Sequence, residues 1–68
     1  MISFRLEGEF IELYKLLKVT GLCESGGTAK HTISSSRVKV DGKTELRKGC
    51  KIRHGQTVEF GNDSISVQ

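Results

Sequence analysis

The side chains able to serve as nucleophile or base are Cys23, Cys50, His31, His54 and a scatter of serines. Covalent or acid–base chemistry needs such a group held on a turn beside its partner, and no glycine-framed nucleophile or phosphate-loop lysine spacing is present. Neither cysteine has a histidine at metal-ligand spacing and there is no third thiol, so no metal site and no cofactor are expected. Two cysteines are too few for the disulfide framework of a small secreted domain. With no apolar run long enough for a signal peptide or a membrane span, a reduced, cytoplasmic protein is expected. The plain role for both cysteines is small buried or half-buried filler.

Charge is the more informative chemistry. Met1 to Gly27 holds three basic and four acidic residues, Thr28 to His54 eight and two, and Gly55 to Gln68 none and two. The segment balances are −1, +6 and −2, within a net charge of +3. A basic block of this kind suits a polyanion, the alternative being an ordinary solvated face. Lysines and arginines on a helix and a hairpin neutralise phosphates and release counterions. Lys30, Lys39, Lys43, Lys48 and Lys51 supply point charges. Arg37, Arg47 and Arg53 supply planar forks for phosphates or for stacking on bases.

The elements that must hold these charges follow in close order from Gly21. Gly21-Leu22 reads as a helix end, with glycine in the left-handed conformation and an apolar residue just beyond it. Ser25 reads as the cap of a second helix, which runs to about Ser35. Gly26, Gly27 and Thr28 leave its first amides open to an anion. Its glycines, threonines and serines are weak helix formers, and only Ala29, Thr32 and Ile33 can face a core. Arg37-Val38-Lys39-Val40 alternates as a strand with both charges on one face, and Asp41-Gly42 signals a hairpin turn. Ser34-Ser35-Ser36 is too short a run to separate domains.

Upstream, Ile2, Phe4 and Leu6 alternate as a strand that Gly8 ends. From Glu9 to Thr20 the spacing turns helical, with Phe10, Leu13, Tyr14 and Leu17 as the apolar stripe and Glu12, Lys15 and Lys18 opposite. Tyr14 is assigned to the core rather than to base stacking. Downstream, Lys43 to Leu46 is expected to pair back as a short strand, and Lys51-Ile52-Arg53 alternates around one apolar residue. Thr57 to Phe60 and Ser64 to Val67 read as strands around the turn Gly61-Asn62-Asp63. A chain of 68 residues forms one domain, residues 1–68, that buries only about 60% of its unfolded surface.

The order helix, Gly21-Leu22, Ser25, Ala29, Ile33, Val38-Lys39-Val40-Asp41-Gly42-Lys43 and Gly55-Gln56-Thr57-Val58 resembles the S-four type RNA-binding domain, or alpha-L RNA-binding motif. It is most similar to that family's short free-standing bacterial members, the YbcJ type, over Phe4 to Val67. The resemblance implies an α+β fold of two helices packed on a small, mainly antiparallel sheet, binding structured ribosomal or transfer RNA across the second helix and the following hairpin. By position it assigns Ser25 to the helix start, Lys30 to the helix, and Arg37, Lys39, Asp41 and Lys43 to the hairpin. Two positions depart from the family pattern. Gly26 stands where arginine often follows the serine, and Ser36 stands where glycine is usual. If that second site needs a positive φ, serine costs about 1–2 kcal/mol.

The expected protein is thus a non-catalytic, monomeric RNA binder with no membrane or small-molecule partner. No exposed aromatic pair for reading single strands is evident, which favours shape and backbone recognition. The competing reading is a protein-interaction adaptor of the same fold, using the basic face or the edge strand near Ile65 to Val67. His31 is a candidate RNA donor or a plain surface imidazole. His54 has no assigned role.

Overall fold

Alternating segments at the two ends of the chain pair along one side of the main sheet of the computed structural model, which describes residues 1–68. Strand β1 (Ile2–Phe4) runs parallel to β7 (Asp63–Val67), with Ile2 opposite Ile65 and Phe4 opposite Val67. Strand β6 (Thr57–Phe60) pairs antiparallel with β7 on one side and with β3 (Val38–Val40) on the other. A short β4 (Lys43–Thr44) closes the edge, giving the order β1-β7-β6-β3-β4. The segment Ile65 to Val67, expected at an edge, is paired on both sides, because β1 adds to it in parallel. The register sets Val40, Val58, Ile65 and Ile2 in one row across the sheet, on the face that also carries Val38, Phe60 and Val67. The opposite face carries Ser3, Lys39, Thr44, Thr57, Glu59, Ser64 and Ser66, as two-residue periodicity requires.

Helices α1 (Leu13–Val19) and α2 (Gly26–Ser34) join the apolar face in one core. Leu13, Leu16 and Leu17 of α1 are fully buried with Ala29 and Ile33 of α2, and Thr32 is buried beside them as expected. Tyr14 is half-buried and packs against this core as expected, while Leu16, expected only to flank the stripe, is fully buried. No helix is long and apolar enough to cross a membrane.

The first helix begins at Leu13 rather than at Glu9. Ile11 and Glu12 instead form β2, antiparallel to β5 (Lys51–Ile52), with Ile11 opposite Ile52 and Glu12 opposite Lys51. The reason lies in the backbone. The Leu13 N–H donates to the Cys50 carbonyl at 2.9 Å and the Tyr14 N–H to the Lys48 carbonyl at 3.2 Å, so a neighbouring loop supplies partners for amides that a helix start leaves unpaired. Glu12 makes no side-chain cap. Phe10, expected in the helical stripe, therefore lies ahead of the helix and is 40% exposed.

The other turns follow the sequence. Asp41 and Gly42 have φ of 50° and 84°, the paired positive values of a tight hairpin turn. Beyond it only Lys43 and Thr44 pair as a strand, fewer than the four residues expected. Glu45 still donates its N–H to the Val38 carbonyl at 2.9 Å, and its carboxylate accepts the Arg47 N–H at 3.0 Å where the chain turns into the following loop.

Candidate nucleic-acid interface

Four of the expected cations converge. Lys43 on β4, Arg47 in the following loop, Lys51 on β5 and Arg53 just after it line an open depression of about 650 Å³, together with Asp41, Glu45, His54 and Gln56. Both carboxylates in this ring are already engaged. Asp41 accepts from the Thr57 N–H at 2.9 Å and from Gln56 Nε2 at 3.0 Å. These two hydrogen bonds hold its carboxyl below the usual carboxylate range. Asp41 thus fastens the hairpin to the start of β6, a structural duty rather than a contact aimed outward.

Glu45 accepts from Arg47 Nε at 3.1 Å and from Arg47 Nη2 at 3.3 Å. The guanidinium, with the Arg47 backbone N–H, lowers the Glu45 carboxyl to about 2. The Glu45 side chain is 18% exposed while that of Arg47 is 79% exposed, so the fork remains open to solvent on its outer edge. Burial, reinforced by the neighbouring Glu45, pushes the Cys50 thiol up, which disfavours the thiolate needed for nucleophilic chemistry. His54 Nε2 lies 2.7 Å from the Gly8 carbonyl, a pure acceptor, so that nitrogen carries the proton and ties two turns together.

A second group of expected residues sits at the start of α2. Ser25 Oγ accepts the Thr28 N–H at 3.1 Å, the cap read from the sequence, leaving the Gly26 and Gly27 amides at the open end of the helix. Lys30 Nζ lies 4.7 Å from the centre of the Tyr14 ring. Tyr14 joins the two groups. Its ring stands beside Gly26, and its N–H is bound by Lys48 in the loop that carries Arg47.

Not every expected residue belongs here. The register puts Lys39 on the opposite face of the sheet from Lys43, paired across the strand with Glu59. Arg37 precedes β3 and is exposed. The basic surface is thus built mainly by the loop and strand after the hairpin, not by the hairpin strand itself. Gln56, whose Oε1 accepts the Arg53 N–H at 2.8 Å, belongs to the ring and was missed. Its only sequence signal was its place in the Gly55-Gln56-Thr57-Val58 segment.

The model of the S4 domain family matches residues 4–68. The chain belongs to that family. YbcJ of Escherichia coli (strain K12) is 53% identical to this S4 domain over 57 residues, covering 84% of this chain and 81% of the relative. A YbcJ protein of Shigella flexneri matches with the same identity and coverage. The solution structure of E. coli YbcJ, described as revealing an alfaL motif involved in RNA-binding, superposes with a TM-score of 0.76 at 48% identity. That match covers 98% of this chain and 86% of the other.

The two departures from the S4 pattern stand at Gly26 and Ser36. At Gly26 an added Cβ would lie 3.7 Å from Tyr14 Cδ2, an ordinary contact, so packing leaves room for a side chain there. Ser36 has φ of 64°, the left-handed conformation for which glycine is usual.

Proposed function

We propose that this S4 domain binds structured RNA of the ribosomal or transfer RNA class, as a single monomeric domain and without catalysing a reaction. The observation that carries the reading is the convergence of Lys43, Arg47, Lys51 and Arg53 on one depression whose two carboxylates are held by internal partners. Phosphates approaching it meet Lys43, Lys51, Arg53 and the exposed outer edge of the Arg47 fork, whose inner edge holds Glu45. The membership in the S4 family and the description of the YbcJ structure support RNA as the polyanion. Ser25, Gly27, Thr28, Lys30 and Lys48 extend the surface toward α2, where helix amides favour a phosphate. Arg37 and Lys39 are peripheral in this reading.

Titration with a folded RNA at several salt concentrations tests it. If Lys30 joins the four cations, about five counterions are released and log affinity against log salt falls with a slope of roughly −3.5 to −4.5. Lys51→Gln with Arg53→Gln should reduce the slope by nearly two units by the same coefficient, whereas Lys39→Gln should barely change it. A wild-type slope retained by the folded Lys51/Arg53 double variant contradicts this surface.

The adaptor reading draws on one observation, Leu46, which is 56% exposed in the same loop. An apolar anchor between Glu45 and Arg47 suits a protein partner. Leu46→Ser separates the two, because it leaves the charge of the surface and hence the salt slope intact.

A further inference from the structure

We propose that Phe10 is a stacking platform for an unpaired nucleobase at the edge of the basic depression, an inference that rests on the RNA-binding reading above. Phe10 is 40% exposed, although it stands next to a core strand. The register explains its position. Ile11 faces Ile52 and Glu12 faces Lys51, so continuing the antiparallel pairing by one residue brings Phe10 opposite Arg53. Ile52 is fully buried and Ile11 half-buried, and alternation turns Phe10 and Glu12 the other way, to the face that carries Lys51 and Arg53.

Two of the four cations that line the depression flank the ring. Lys51 Nζ lies 4.9 Å from the ring centre and the Arg53 guanidinium carbon 5.9 Å from it. Glu12, the acidic group on this face, has its carboxylate 3.2 Å from Lys15 Nζ and so is paired away from the aromatic. An apolar ring edged by two cations offers a base its π-face and offers the adjoining phosphates their counter-charges. Stacking of this kind is tolerant of base identity. The flexible Lys51 stem lets its ammonium leave the ring for a phosphate when a base arrives, and the planar Arg53 group can stack on the base as well. A purely duplex ligand gains the phosphate contacts and not the stack. The surface should therefore prefer a folded RNA with an unpaired loop over a blunt duplex.

Two RNAs of equal phosphate count test this, one a hairpin with 2-aminopurine in its loop and the other a blunt duplex. The wild type is expected to prefer the hairpin and to quench the 2-aminopurine fluorescence, a signature of stacking that purely electrostatic binding does not produce. Phe10→Leu keeps apolar bulk without a π-face. It should weaken hairpin binding roughly 5- to 150-fold, abolish the quenching and leave the salt slope unaltered. Phe10→Tyr should retain both affinity and quenching. No quenching in the bound wild-type complex, or equal hairpin affinity and quenching in folded Phe10→Leu, overturns the stacking proposal while leaving the phosphate surface standing. Wild-type protein that binds neither RNA at low salt removes the RNA-binding reading, and this proposal with it.

Discussion

Glu45 shows how a single residue shapes the surface. Its carboxylate organises the loop through the Arg47 backbone and side chain, and its acidity is raised in return, to a value of about 2 against an ordinary 4.5. A group whose folded value is depressed contributes stability above its unfolded value and loses it as pH falls through the folded one. The Glu45 contribution is therefore complete above about pH 4.5 and fades as pH drops toward about 2. Urea melts across this range should show the stability gap between wild type and Glu45→Gln closing as acid is added. A gap that stays constant from neutral pH down to 2.5 would mean that the carboxylate charge does not organise the loop. Asp41 is the matching case on the hairpin, with both oxygens turned to residues at the start of β6. The resemblance assigned it to RNA, and its geometry assigns it to holding the turn.

At the scale of elements, the end of α2 is the strained point. Ser36 closes the helix with its N–H on the Ile33 carbonyl at 3.2 Å and its φ at 64°. Ser36→Gly should stabilise the domain by about 1 kcal/mol, the left-handed penalty less part of glycine's own entropy. That is a rise in Tm of roughly 4–8 °C for a chain of this size. A lower Tm would show that the serine side chain contributes more than its backbone strain removes. This helix was legible because Ser25 gives a cap, Ala29 and Ile33 give a buried i, i+4 pair, and the resemblance to the S4 family supports a helix where propensity is poor. The strands around Val38, Val58 and Ile65 were legible from alternation. The beginning of α1 was not, because Phe10, Leu13, Tyr14 and Leu17 fit a helical stripe equally well whether or not the chain enters it extended. Only the distant partners Ile52, Cys50 and Lys48 decide the matter, and no local pattern encodes them. The same long-range pairing hid the exposed aromatic from the sequence.

Across the whole molecule, a net charge of +3 is distributed unevenly over two faces. One side presents the polar outer surface of the sheet, where Lys39 is matched by Glu59 and the neighbours are serines and threonines. The other presents the depression lined by Lys43, Arg47, Lys51 and Arg53. Tyr14 connects it to the start of α2, with its ring beside Gly26 and its N–H donated to the Lys48 carbonyl. The basic block of the sequence therefore folds into a site by its second half more than by its first. Alternation placed Lys39 correctly on the strand face opposite Val38 and Val40, but it does not show that Lys43, paired with Val40, lies on the other face of the sheet.

Backbone amide shifts recorded while a folded RNA is titrated into the labelled protein test this account most directly. Amides of Lys43, Arg47 to Arg53 and Gly26 to Thr28 should move with added RNA and return toward their free positions as salt is raised. Those of Ser3, Lys39, Glu59 and Ser64, on the outer face of the sheet, should stay in place. Shifts concentrated on that outer face, with the loop from Arg47 to Arg53 unmoved, would contradict it.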